Sequence, residues 1–390
     1  MKSRVFLKKN EERRINAGHL WVFSNEVDKL EGTADNGDLV EVFDSRNSFI
    51  GTGFYNKNSL IAVRLLSKEH IENFREYAET KIKKAFSLRK LIYPERNSFR
   101  LIFSESDLMP GLIIDKYNDT YVLQVYSAGI QKNIAAITSI LQNDFNAKNI
   151  FTKNETYFRT LEGLPETDEV YLGESTQETI DDGSIQYKID FQKSHKTGFY
   201  FDQSDNRYFI EKIANGKTIL DAFCNSGGFG LHAAKAGASS ITFVDSSASE
   251  IENAKHNFEL NNLSANAEFI VSDIFDYMEA SLTQDKKFDV VMVDPPAFAK
   301  NKKNLATAKK GYEKLNRLAL QLVSSDGILV TSSCSHHLSK EEFIQVINNA
   351  AVKLQKKIQL IYYNGASIDH PVIPSMPETI YLKFAVFRVM

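Results

Sequence analysis

The chain has 390 residues, enough for two or three domains with separate cores, and its 43% hydrophobic and 25% charged content excludes large-scale disorder. A formal net charge of −3 excludes a histone-like polycation, though a local basic face can still bind phosphates. Two cysteines exclude a disulfide framework and fit a reducing compartment.

The opening "MKSRVFLKKNEERR" carries charge but no apolar stretch behind it, so no secretory leader is expected. The longest apolar runs, such as "FDVVMVDPPAF", are far shorter than a membrane span. A soluble cytoplasmic protein is expected. Within residues 1–70, "SRVFLKK", "GDLVEVFDS", "FIGTGFYN" and "LIAVRLLS" alternate apolar and polar residues between Gly or Asn breaks, as in a small antiparallel barrel. Apolar positions three and four apart predict an amphipathic helix over 69–92. From 99 to about 172, strands recur around the helix "IQKNIAAITSILQNDF", a small α+β domain.

From about 185, short apolar strands ("TILDAF", "SITFVDS", "AEFIVSD", "FDVVMVD", "GILVTSS") each precede a helical stretch. That alternation predicts an α/β domain with a doubly wound, mainly parallel, Rossmann-like sheet. The expected divisions are a barrel over 1–70, a central α+β domain over 71–180 and the α/β domain over 181–390.

Ligands of such sheets bind beyond the carboxyl ends of the strands. The first strand runs into "DAFCNSGGFG", where Gly227 and Gly228 let backbone approach a ligand closely. The second ends in Asp245, placed to accept both hydroxyls of a ribose, and the third in Asp273, placed to meet an adenine amino group. The loop lacks G-x-G-x-x-G spacing for a pyrophosphate, and Asp221 suits a cationic amino-acid end instead. S-adenosylmethionine has an ammonium, a sulfonium, a ribose and an adenine, and no phosphate. The fourth strand ends in "VDPPAF", whose prolines make a stiff turn presenting Asp294. Four acidic strand ends favour a methyltransferase.

"TSSCSHH" sets Cys334 at the end of the next strand. On this stretch alone it reads as a small apolar filler more readily than as a nucleophile. Cys224, in the cofactor loop, reads as packing. No spacing of cysteines and histidines predicts a metal site.

In order, "ERRINAGHLWVFSNEV", "KTGFYFDQSDNR", "DAFCNSGGFG", "VMVDPPAFAK", "GILVTSSCS" and "DHPVIPSMPETIYLKFAVFRVM" resemble one family over nearly the whole chain. It is that of the bacterial S-adenosylmethionine-dependent 23S rRNA cytosine carbon-5 methyltransferases with an N-terminal PUA domain. The resemblance implies a PUA domain, a central α+β domain and a Rossmann-like catalytic domain. It implies that Asp221, Asn225 and Gly227, with neighbouring Phe223, line the methionine end of the cofactor. Asp245 and Ser246 fall on the ribose side, Asp273 and Ile274 on the adenine side, and Thr197 and Phe199 close over the cofactor. Ser204 stands where the family pattern has arginine.

Carbon 5 of cytosine is a poor nucleophile, and a thiolate adding to carbon 6 activates it. With the resemblance, Cys334 becomes the expected nucleophile, and Asp294 is expected to hold the base edge at ring nitrogen 3 and to adjoin the cofactor. RNA contacts are expected from Arg13, Arg14, His19 and Trp21 near the start, although Trp21 reads equally well as barrel core. More are expected from Lys302, Lys303, Lys309 and Lys310 in the basic segment 300–317, which has seven Lys or Arg against one Glu. The expected partner is ribosomal RNA of the large subunit, with a homodimer left open. Two alternatives remain: methylation of an exocyclic amine, which needs no cysteine, and an inactive RNA-binding assembly factor.

Overall fold

The computed structural model describes residues 2–194, 196–299 and 302–390. They fall into two compact units, and the chain passes between them more than once. The first unit comprises Met1–Ile180, Ile189–Phe201 and Asp369–Thr379, and the second Asp181–Lys188, Asp202–Ile368 and Ile380–Met390. The expected border near residue 180 is therefore one of several crossings.

In the first unit, six strands form one sheet: β1 (Arg4–Leu7), β2 (Trp21–Phe23), β3 (Val27–Glu31), β4 (Leu39–Phe43), β5 (Phe49–Tyr55) and β6 (Ile61–Ser67), in the order β2-β6-β5-β4-β1-β3. Alternate residues such as Val5, Val40, Val42 and Val63 are fully buried in its core, together with Ile15 of the short helix α1 (Glu12–Asn16). This is the pattern of a strand with one face turned inward. Helix α2 (Phe74–Ile92) begins five residues later than its apolar spacing predicts, because the Asn73 side chain accepts from Arg75 N and caps it there. Its Phe74, Ala78, Ile82 and Ala85 pack in the core of a five-stranded sheet. That sheet contains β7 (Ser98–Phe103), β8 (Leu112–Tyr117), β9 (Thr120–Val125), β10 (Asn149–Thr152) and β11 (Val170–Leu172), in the order β11-β10-β9-β8-β7. Helices α3 (Ala128–Lys132), α4 (Ile134–Asp144) and α5 (Thr156–Glu162) complete this region.

The late segment Asp369–Thr379 is fastened inside the first unit by charge. Arg89, fully buried, pairs with Asp107 and donates to the Asp369 carbonyl at 2.9 Å. Arg100 pairs with Asp115 at 2.8 Å, its backbone N–H donates to the Asp369 carboxylate, and its guanidinium reaches His370. Strands β12 (Gln177–Asp181) and β13 (Gln186–Asp190) form a two-stranded hairpin.

The second unit is built on a seven-stranded sheet. Its parallel part contains β14 (Thr218–Ala222), β15 (Ser240–Asp245), β16 (Asn266–Val271), β17 (Phe288–Val293) and β18 (Val323–Ser333). Two further strands, β19 (Ile358–Asn364) and β20 (Lys383–Val389), give the order β16-β15-β14-β17-β18-β20-β19, with β20 antiparallel to both neighbours. Helices α6 (Ser204–Glu211), α7 (Gly228–Lys235), α8 (Ala248–Leu260), α9 (Ile274–Thr283), α10 (Leu305–Leu322) and α11 (Lys340–Lys353) accompany the strands. The central strands are nearly continuous apolar runs because both faces are covered, and Leu220, Val291 and Leu329 are fully buried. Strand order reverses between β14 and β17, so the crevice at their carboxyl ends is the place for a ligand. No helix among the described residues is long and apolar enough to cross a membrane.

Gly230 lets α7 lie directly on β15. A Cβ there would meet the Phe243 ring at 2.1 Å. Gly230→Ala is therefore expected to lower stability by about 1–3 kcal/mol through overpacking, read as a lower urea midpoint at unchanged m-value.

Candidate active site

The loop after β14 is held in an unusual backbone. Phe223, Asn225 and Gly227 all adopt positive φ, at 63°, 49° and 89°. For a bulky residue such as Phe223 that conformation costs about 1–2 kcal/mol, which surrounding bonds must hold in place. Cys224 N donates to Val244 O, Gly227 N to Cys224 O, Asn225 N to an Asp245 oxygen and Gly230 N to an Asp221 oxygen. These N–H groups are satisfied by carbonyls and by the site's own carboxylates, unlike the outward-facing donors of a phosphate cradle. A Cβ on Gly228 would come within 2.5 Å of Arg207 Nε, so the glycine makes room for that guanidinium.

Asp221 is 1% exposed and its carboxyl is pushed up to about 7, first by burial and then by the nearby charges of Asp294 and Asp245, with the Gly230 N–H and Arg207 opposing. Asp294, in the turn after β17, is also pushed up to about 7, by burial and the Asp202 charge, with Arg207 opposing. Gln203 Nε2 donates to both Asp294 oxygens at 3.1 Å, and Asn206 Nδ2 donates to Gln203 Oε1 at 2.7 Å, which fixes the amide's orientation. Asp245 accepts at one oxygen from Asn225 N and at the other from Ser247 N, so the carboxylate is locked at the end of β15.

Asp273 is exposed and caps α9, accepting from Phe275 N at 2.8 Å and Asp276 N at 3.2 Å, while Ile274 behind it is buried. Ser246 is exposed beside Asp245. Thr197 and Phe199 belong to the first unit, where Thr197 Oγ1 donates to Asp115 and Phe199 N to the Tyr117 hydroxyl. Ser204 is buried at the start of α6, between Gln203 and Arg207.

These residues fit S-adenosylmethionine. Asp221, Asp245 and Asp294 concentrate negative charge in a crevice where two carboxyls resist ionisation, so a cationic ligand relieves a cost that a phosphate would increase. Asp221 would hold its ammonium and Asp245 its ribose.

The parallel register pairs Val293 with Thr331, so the "DPPAF" turn and the "CSHH" turn emerge together. Cys334 is partly buried, with Sγ 4.0 Å from the Pro295 carbonyl. Phe298 packs against Tyr312 of α10 at 4.6 Å between centroids. Cys224 is buried, and burial with the charges of Asp221 and Asp245 pushes its thiol well up, opposing a thiolate. Among the described residues, no group of three His, Cys, Asp or Glu could hold a metal.

The basic residues divide. Lys302, Lys303 and Lys310 are exposed, while Lys309 pairs with Glu342 of α11 at 2.7 Å; residues 300–301 lie outside the described residues. In the barrel, Arg13 is exposed, but Arg14 pairs with Glu26 at 2.6 Å and donates to the Trp21 carbonyl. His19 is 4% exposed against Arg14, and the partly buried Trp21 indole donates to Glu105 at 2.8 Å. These side chains serve the first unit's own polar network. Sequence alone does not single out Gln203 and Asn206. Their only signal is that 203, 206 and 207 share one face at the start of a helix.

A PUA-like domain model matches residues 5–68 and a methyltransferase domain model residues 213–366. Ribosomal RNA large subunit methyltransferase I of Tolumonas auensis is 34% identical over the full length of both chains. The protein of that name from Photobacterium profundum is 35% identical over 98% of each. The crystal structure of SMU.776 complexed with SAH superposes over the full length of both chains at a TM-score of 0.86 and 22% identity. With a fold of this kind, acidic strand ends suited to a sulfonium cofactor and such relatives, the chain belongs to the ribosomal RNA large subunit methyltransferase I family of S-adenosylmethionine-dependent methyltransferases.

Proposed function

We propose that the chain methylates carbon 5 of a cytosine in 23S ribosomal RNA through a covalent adduct on Cys334. The observation that carries this reading is Cys334 Sγ 4.0 Å from the Pro295 carbonyl, one residue from Asp294, where the parallel strands β17 and β18 end side by side. The Cys334 thiolate bonds carbon 6 of the base, and the displaced electron pair makes carbon 5 nucleophilic. Asp294, with its carboxyl near pH 7, donates a proton to ring nitrogen 3 as that charge develops, oriented by Gln203. The bound cofactor supplies an electrophilic methyl group. Loss of the carbon-5 proton to solvent then re-forms the ring double bond and expels the thiolate, and nitrogen 3 returns its proton to Asp294.

Methylation of an exocyclic amine uses an aromatic after Asp-Pro-Pro to stack on the base. Here Phe298 is packed on Tyr312, and a thiol at 334 would have no task. Exposed Lys302 and Lys303 just before α10 and Lys310 on it supply phosphate contacts, with Arg13 on the barrel.

The Asp221 assignment gives a pH dependence with a definite sign. Burial raises its pKa to about 7, so below that pH a proton competes with the cofactor's ammonium. Affinity for S-adenosylhomocysteine, measured by calorimetry, should fall by up to about tenfold per pH unit below about pH 7 and level off above it. Asp221→Asn should bind weakly with a flatter profile. An unchanged profile in a folded variant would remove Asp221 from the ammonium site.

RNA carrying 5-fluorocytosine should trap the enzyme in an S-adenosylmethionine-dependent adduct that survives denaturing electrophoresis, because fluorine cannot leave as a proton does. Cys334→Ala should form no adduct and lose turnover, yet bind cofactor normally. Methylation by Cys334→Ala at the wild-type rate would contradict the mechanism.

A further inference from the structure

Lys383 opens β20, the strand that enters the sheet antiparallel between β18 and β19. It is 4% exposed, a place where an ammonium persists only with partners. Its Nζ donates to the carbonyls of Ser335 and Tyr381, each at 2.6 Å, and its backbone lies opposite Ser333. Ser333 and Ser335 bracket Cys334. From α10, the Tyr312 hydroxyl accepts from Ser333 Oγ at 2.9 Å and bonds Ser335 Oγ at 3.0 Å, and Ser335 Oγ accepts from Ala299 N.

Among the described residues, the titratable groups around this turn include Lys383 on β20, Tyr312 on α10 and Asp294 after β17. The exposed His336, two residues on, stacks on Tyr381 with centroids 5.3 Å apart. Burial drives the Tyr312 phenol up, and a Cys334 thiolate drives it further, so Tyr312 stays neutral. Burial brings Lys383 down to about 8, and a Cys334 thiolate opposes that by favouring the ammonium. An ammonium has three donors, and the two carbonyls use two of them.

We propose that Lys383 is a positioning residue for the nucleophile, clamping the backbone beside Cys334 and holding a positive charge that stabilises the Cys334 thiolate. Its use in catalysis rests on the covalent mechanism above, but the coupling of ammonium and sulfur is a property of the protein without RNA. The ammonium is present below about pH 8, so the thiolate is favoured through the neutral range and the advantage fades above it.

The test is the pH profile of iodoacetamide alkylation at Cys334 in the full-length chain, read by peptide mass spectrometry so that Cys224 does not contribute. The wild type should show an apparent pKa about one unit or more below the ~8.5 of an ordinary thiol. Lys383→Gln keeps hydrogen-bond donors without the charge and should raise that value by about one unit or more, while Lys383→Arg should hold it low. A Lys383→Gln profile superimposed on the wild type would overturn the proposal. So would a wild-type value at or above that of an ordinary thiol, which decides the matter even if the variants do not fold. The fluorocytosine trap separates the two ideas. A Lys383-dependent thiolate that forms no RNA adduct would sink the nucleophile and leave the coupling standing. Trapping at the wild-type rate by Lys383→Gln would leave the nucleophile and remove Lys383.

Discussion

Asp221 is buried at the end of the central strand β14, and the Asp294 charge after the adjacent strand makes its ionisation harder still. Much of the site follows from containing that concentrated negative charge. The loop after β14 turns the Asn225 N–H, and the first turn of α7 the Gly230 N–H, onto carboxylates, at the cost of positive φ at Phe223 and Asn225. Arg207 lowers both Asp221 and Asp294, and Gly228 has no side chain because the guanidinium occupies that space. Neither device discharges the crevice fully, since both carboxyls stay near 7. A bound cation completes the balance, which links cofactor choice directly to the electrostatics of the sheet's carboxyl end.

The other side of the crevice follows a different rule. Around Cys334, Ser333, Ser335 and Tyr312 form a bonded set of hydroxyls, and Lys383 closes it from β20. On the proposed mechanism, acidic groups gather where the cationic cofactor is held and a basic group stands where the thiolate forms. The two halves adjoin at the Asp294–Pro295 turn, where rigid prolines keep the carboxylate and the carbonyl near the sulfur in register.

The acidic ends of β14, β15 and β17 were open to reading from sequence because strand ends follow from hydrophobic runs and ligands follow strand ends. The pairing of Cys334 with the Asp-Pro-Pro turn followed from parallel order alone. Other features depend on distance in space and left little local trace. Gln203 is an ordinary polar residue before a helix until Asp294 is placed against it. Lys383 sits in "YLKFAVFRV", an apolar strand whose antiparallel insertion next to β18 no local pattern announces. Arg14 belongs to a basic run, and only the fold reveals that Glu26, twelve residues on, neutralises it. The segment Asp369–Thr379 lies late in the chain yet joins the first unit, because Arg89 and Arg100 capture Asp369.

The central claim is the chemistry of the base. Mass spectrometry of nucleosides and mapping of modified positions in 23S ribosomal RNA from cells lacking this protein test it most directly. The account predicts the loss of one 5-methylcytosine, restored by the wild-type chain and by no Cys334→Ala variant. Loss of an N-methylated purine instead, or full restoration by Cys334→Ala, would contradict it.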